Sequence, residues 1–204
     1  MKALFKSKKQ NVDVEVEQWQ NLYGDFKFEE DFSKFTISNL AKESGWIRGE
    51  IISSLQKLPT EPESLLLPGE PLSVKAVYAK VLNLNLDSIK TTGLYPVEEV
   101  DYYWDFEKDK PDFGYYDLII SQAMLEHLIN PYKHMIDLSN ALSKGGHLVV
   151  HTVIPGFPYH RYPIDCMRFY PDWFEEVGNR LALKIIDKYI GEQRIMYCYQ
   201  KGTE

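Results

Sequence analysis

Cysteine is scarce in this chain. Only Cys166 and Cys198 occur in 204 residues, with no CxxC pair and no metal-ligand spacing. That excludes a disulfide framework and a thiolate zinc site, and it fits a reducing, cytoplasmic compartment. No apolar run approaches the roughly 18 residues a membrane-spanning helix needs, so no membrane partner is expected. The first residues have no signal-peptide apolar core. Positive charge is also short: 23 basic against 30 acidic residues leave a net charge of −7. A nucleic-acid binder usually carries a basic face. The one clear basic cluster, Lys2, Lys6, Lys8 and Lys9, reads as a solubilising tail, so no nucleic-acid partner is expected. Internal repeats and low-complexity stretches are missing, which excludes solenoids and linker-like chains.

What is present is an ordinary globular composition with many aromatics, 14 of them Tyr. Residues 1–60 form an N-terminal helical extension or cover. Trp19, Tyr23, Phe26, Phe28, Phe32 and Phe35 are scattered there without a period, and apolar positions from Ile37 to Leu58 recur at helical spacing until Pro59 stops them. Residues 61–204 alternate strands and helices. Strands are expected at 64–67, 88–94, 101–105, 116–121, 147–154, 183–189 and 194–199. The helix 72–82 is expected to bury Leu72, Ala76 and Ala79. A second helix opens at Pro131 and buries Tyr132, Met135, Ile136, Ser139 and Leu142 until Gly145-Gly146 caps it. A third opens at Pro171. The fold class is therefore α/β: a Rossmann-like, doubly wound, mostly parallel sheet with an antiparallel C-terminal edge strand.

In open α/β sheets ligands bind beyond the carboxyl ends of the strands. Those ends read Pro68-Gly69-Glu70, Thr92-Gly93-Leu94, Asp105, Ser121-Gln122 and 152–156. The Pro68-Gly69-Glu70-Pro71 turn holds one glycine and a carboxylate. Glu70 would repel a phosphate but could face a cation; alternatively the four residues only close the strand.

The segment Tyr116-Asp117-Leu118-Ile119, then Leu125-Glu126-His127-Leu128, Pro131 and Leu142 to Val149 resembles the second half of a class I S-adenosylmethionine-dependent methyltransferase. The run YHRYPIDCMRFYPDWFEE, beginning at Tyr159, is similar to a segment common after the fifth strand in that family. The resemblance implies S-adenosylmethionine as cofactor and a methyl-transfer reaction. Pro68, Gly69, Glu70, Gly93, Asp105, Ser121 and Gln122 would then line the cofactor site. The usual glycine loop departs here: Leu66 replaces the acid, Pro68 and Glu70 replace two glycines, and the second strand ends without an acid.

On the acceptor side His127, His160 and Asp165 are the candidate bases, because O-methylation needs a proton removed from a hydroxyl. His151 is a further candidate, whereas His147 reads as structural and His134 as a solvated helix position. Tyr159, Tyr162 and Arg168 would bind substrate, and Asp165 could instead pair with Arg168. Ala123 stands where a subset of quinone O-methyltransferases carries an acid, so no metal is expected. The expected acceptor is a small molecule or glycan hydroxyl, and a homodimer is compatible with the aromatic N-terminus. A catalytically inactive, methyltransferase-like binding or scaffold protein is the alternative.

Overall fold

The computed structural model describes residues 47–94, 99–108, 110–160 and 164–203. The expectations for the N-terminal aromatics, the lysine cluster and Tyr162 fall outside these residues.

Seven strands form one sheet: β1 (Leu65–Pro68), β2 (Ile89–Gly93), β3 (Tyr102–Tyr103), β4 (Tyr116–Gln122), β5 (Leu142–Val153), β6 (Leu183–Gly191) and β7 (Arg194–Lys201). Their order is β3-β2-β1-β4-β5-β7-β6. The first five run parallel, while β7 is antiparallel to both β5 and β6. The C-terminal β7 is thus the one antiparallel strand as expected, but it is not the edge: it lies between β5 and β6, and β6 forms the edge and runs in the direction of β5, because a short hairpin lets β7 insert beside β5. The helices are α1 (Gly49–Leu55), α2 (Lys75–Leu82), α3 (Pro131–Ala141) and α4 (Pro171–Arg180).

Alternation along buried strands divides the core into two layers. Leu65, Leu67, Leu118, Ile120 and Val149 face α1 and α2 with Ile51, Leu55 and Tyr78. Leu66, Ile119, Leu148, Val150, Tyr197 and Tyr199 face α3 and α4 with Met135, Leu138, Phe174 and Val177. The stacked rings of Phe174 and Tyr197, 4.8 Å apart, and the bond from Tyr199 Oη to the Phe174 carbonyl pin α4 to β7.

Three expectations about the helices change. In the α2 segment Val74 and Tyr78 are the buried residues, and Ala76 is exposed. A short 3-10 turn at Leu72–Val74 precedes α2 and rotates the face away from the periodicity of 72, 76 and 79. In α3 the buried set is Pro131, His134, Met135, Leu138, Ser139 and Ala141 rather than one containing Tyr132 and Ile136. Gly145-Gly146 does not cap this helix, since α3 ends at Ala141 and the glycines lie within β5. A Cβ on Gly146 would stand 2.9 Å from the Ser143 carbonyl oxygen, 3.1 Å from that of Asp117 and 3.2 Å from that of Tyr116. The backbones approach closely here because the β4–β5 register shifts between Tyr116 and Leu118.

Candidate functional site

The strand order reverses between β1 and β4, which places the ligand crevice at their carboxyl ends. On the β1 side Gly69 has φ 75°, and its N–H donates to the Thr92 carbonyl at 2.8 Å. Only glycine adopts that backbone without strain. Across the crevice, Ala123 follows β4 with φ 51°, a left-handed conformation that costs a non-glycine residue about 1–3 kcal/mol. The next residue, Met124, lies over Gly69, and a Cβ on Gly69 would overlap its sulfur. The switch point is therefore closed by a flexible thioether rather than by backbone.

Glu70 is buried at 4% exposure, and its charge reaches the phenol of Tyr78, which burial first and Glu70 second push well above the usual range. A Glu70→Lys exchange would therefore bury an ammonium and probe the fold rather than a ligand contact alone. Pro68 and Gly93 end β1 and β2, and the Gly93 carbonyl accepts from Trp104 N–H at 2.9 Å. The buried Thr92 hydroxyl beside them has no hydrogen-bond partner. Asp105 lies beyond β3, where its carboxylate accepts from Glu107 N–H and pairs with Lys108 at 3.0 Å.

Ser121 and Gln122 end β4 on opposite faces of the sheet. Ser121 lies under α3, its hydroxyl 3.1 Å from His134 Nε2. His134 is fully buried, not solvated as its helix position implied, and burial followed by the charge of Lys133 pushes its pKa down to about 3. It is a neutral core imidazole at physiological pH. His147 is buried as well. His151 points to the α1 layer, where Nε2 meets Glu50 Oε1 at 2.8 Å. It faces away from the residues gathered beyond β4 and β5.

Those residues are Glu126, His127 and His160. Residues Leu125–His127 form a 3-10 turn after β4, and His160 lies in the loop after β5. The backbone ties the two segments together: Cys166 N–H donates to the Glu126 carbonyl at 2.8 Å. Glu126 is fully buried. Its Oε2 accepts from Thr152 Oγ at 2.5 Å, while its Oε1 has no hydrogen-bond partner. Both histidines aim Nε2 at that oxygen, His127 from 3.9 Å and His160 from 3.8 Å. His127 Nδ1 sits 2.5 Å from the Ile164 carbonyl oxygen, and His160 Nδ1 sits 3.3 Å from that of Pro158 and 3.4 Å from Asp165 Oδ2. These oxygens only accept, so each Nδ1 carries a proton, and Nε2 is the ring nitrogen left facing Glu126. The rings meet edge to face at 4.9 Å.

Asp165 and Arg168 hold this loop. Asp165 accepts from both Arg168 guanidinium nitrogens and from His160 N–H at 2.7 Å. Burial would raise its carboxyl, but the hydrogen bonds from Arg168 and His160 hold it well below the usual carboxylate range. A carboxylate so stabilised is a poor base. The remaining Arg168 contacts go to the carbonyls of Phe157, Pro158 and Met167. Phe157 packs edge to face on His160 at 5.0 Å, and Tyr159 is half-buried beside them. Sequence reasoning missed Glu126, Thr152 and Met124. The Glu126-His127 dipeptide was the visible signal, but its buried carboxylate is recognisable only once His160 lies beside it.

The comparisons with known proteins agree with this architecture. No protein-family model matches the chain. A methyltransferase of Haloferax volcanii solved with the Trm112 methyltransferase activator superimposes with a TM-score of 0.60 at 11% identity, covering 79% of this chain and 92% of that one. An S-adenosylmethionine-dependent methyltransferase from Clostridium acetobutylicum gives 0.58 at 11% identity, covering 79% and 95%. Streptomyces venezuelae DesVI gives 0.60 at 11%, covering 80% and 92%.

The chain has the class I methyltransferase fold.

Curated relatives include tRNA U34 carboxymethyltransferases. That of Aliivibrio fischeri is 35% identical over 101 residues, and that of Vibrio cholerae is 31% identical over 101 residues. The match covers 41% of this chain, which spans about a third (31%) of those relatives' length. This finding overturns the expectation of a glycan or small-molecule acceptor with no nucleic-acid partner. That expectation rested on net charge, and net charge averages over a whole surface rather than reporting on one site. Among the described residues no helix is long and apolar enough to cross a membrane.

S-adenosylmethionine suits the residues of this methyltransferase fold. The orphaned Thr92 hydroxyl at the end of β2 and the Asp105 carboxylate beyond β3 match a nucleoside's hydroxyls and amino group. The left-handed Gly69 turn is a cradle whose one occupant, Met124, is a side chain able to swing.

Proposed function

We propose that this chain binds S-adenosylmethionine at the β1–β4 switch point and transfers its methyl group to an oxygen of an RNA nucleoside. When bound, the cofactor supplies an electrophilic methyl on a cationic sulfonium. Gly69, Thr92, Gly93 and Asp105 would hold it, with Met124 displaced from the turn. The carboxylates of Asp105 and Glu70 match its positive charge.

The observation that carries the reading is the pair of Nδ1-anchored histidines beyond β4 and β5, whose Nε2 lone pairs converge beside Glu126. Either Nε2 can take the proton of an acceptor hydroxyl, and the buried Glu126 oxygen stabilises the imidazolium that results. Tyr159 and the partly exposed His160 ring offer faces on which a base stacks, the usual way an unpaired nucleoside is held. Such a site does not need a basic surface, which reconciles the charge of −7 with the relatives' names. A cytoplasmic setting belongs to the same proposal, supported by two free cysteines.

Calorimetry with S-adenosylmethionine and its demethylated product tests the donor site. Transfer of a labelled methyl group to total tRNA tests the acceptor. Absence of donor binding at millimolar concentration would refute the enzymatic reading. A second reading, a methyltransferase fold kept as a binding or scaffold protein, is favoured by Met124 lying on Gly69. Donor binding that stays absent when Met124 is shortened to Ala would select it.

A further inference from the structure

We propose that Glu126, His127 and His160 form a binding site for a divalent transition-metal ion, of the two-histidine, one-carboxylate type. The argument uses only their geometry and does not depend on donor binding or on the acceptor; an ion held there takes up both Nε2 lone pairs, so with the ion bound neither histidine serves as the base.

One ligand atom from each residue lies within 4.8 Å of the other two. Glu126 Oε1 is 3.9 Å from His127 Nε2 and 3.8 Å from His160 Nε2. At those separations no hydrogen bond forms between them. A buried carboxylate oxygen left without a donor is costly unless a cation or ligand satisfies it. At 3.9 and 3.8 Å neither imidazole nitrogen satisfies it. A cation between the three atoms resolves all of them together.

The surrounding shell matches this role. Metal-binding histidines give their second ring N–H to a carbonyl or carboxylate, which fixes the tautomer and aims the other nitrogen. His127 does so to the Ile164 carbonyl, and His160 to the Pro158 carbonyl and the Asp165 carboxylate. The second oxygen of Glu126 is oriented by Thr152. Asp165 is itself locked by Arg168, so the support extends one layer further. A ligand distance of about 2.0–2.2 Å puts neighbouring donors roughly 3–3.4 Å apart. The two gaps to Glu126, 3.9 and 3.8 Å, therefore close by roughly 0.4–0.9 Å, and the gap between the imidazole nitrogens, within 4.8 Å, closes by up to about 1–2 Å through side-chain rotation.

The ligand set selects the ion. Imidazole with carboxylate suits Mn²⁺, Fe²⁺, Co²⁺ or Zn²⁺ better than Mg²⁺ or Ca²⁺, which prefer oxygen. Three protein ligands leave at least one position open, the arrangement of catalytic rather than structural sites. The expectation of no metal rested on Ala123 alone. The third ligand comes instead from the loop after β5, which local sequence around Ala123 cannot reveal.

The test is metal binding to the full chain, stripped with a chelator and dialysed against Zn²⁺, Mn²⁺ or Co²⁺. The expected result is one ion per chain, with Co²⁺ giving a visible absorption band. His127→Ala and His160→Ala should each weaken binding by more than about 100-fold, since even supporting partners change affinity by about 10–100-fold. Glu126→Gln should do the same, and circular dichroism confirms that each variant is folded. Glu176→Gln, at an exposed ion pair with Arg180, should leave binding unchanged. No stoichiometric binding by the parent chain, or binding unaffected by folded His127→Ala and His160→Ala variants, would overturn the proposal. Neither outcome depends on donor or acceptor.

Discussion

Asp165→Asn is the substitution for which the structure makes the sharpest forecast. The Asp165 side chain is 1% exposed and that of Arg168 21%, so solvent screens their pairing weakly. Removing one partner of a well-buried ion pair costs about 3–5 kcal/mol. Arg168 keeps three carbonyl acceptors, on Phe157, Pro158 and Met167, so its charge is not stranded. The amide oxygen can still accept one bond. A loss of about 2–3 kcal/mol follows, at or just below the lower end of that range. For a chain of this size that lowers Tm by about 4–12 °C. The loss should depend on pH. The folded carboxyl is depressed, so its contribution is complete above the unfolded value of about 3.9 and disappears as pH falls through the lower folded value. Denaturant unfolding of both proteins at neutral pH and in acid measures the gap. A gap below about 0.5 kcal/mol at neutral pH would refute the inference, as would one that persists unchanged in strong acid, since surface changes lie within that range.

Three other outcomes are expected. Gly146→Ala pushes a methyl group against three backbone carbonyls, which cannot yield like a side chain. It should cost about 1–3 kcal/mol by denaturant unfolding, and a neutral result would mean that the β4–β5 approach is looser than described. Tyr199→Phe removes the bond to the Phe174 carbonyl and should cost about 1–2 kcal/mol with little change in shape; a stabilised variant would contradict it. Met124→Ala clears the Gly69 turn and should tighten S-adenosylmethionine binding in calorimetry, whereas weaker binding would make Met124 part of the donor site rather than its cover.

The donor loop shows why local sequence read some features and misread others. Pro68-Gly69-Glu70 was placed correctly at the end of β1, because strand and turn are set by short-range pattern. What surrounds those residues is another matter: the Glu70 charge is felt by the Tyr78 phenol, and Gly69 lies under Met124, brought there from beyond β4. His134 and His151 show the same limit. Each occupies an expected element, yet one is sealed beneath α3 and the other pairs with Glu50 in the opposite layer. Gly145-Gly146 has the composition of a helix cap, but the glycines serve the close passage of β5 past β4.

Alternation of apolar runs, proline at helix starts and the LEHL segment were enough to determine a doubly wound, mostly parallel sheet with an antiparallel C-terminal strand, though not that this strand lies inside the sheet. These signals are local, because backbone hydrogen bonding and side-chain periodicity act over a few residues. The Glu126–His127–His160 cluster is different. Its members come from two loops brought together by the parallel pairing of β4 with β5 and tied by the Cys166–Glu126 backbone bond. Only the tertiary structure could decide that a buried carboxylate oxygen faces two imidazole nitrogens, because that depends on burial and direction, and neither is encoded at any single position.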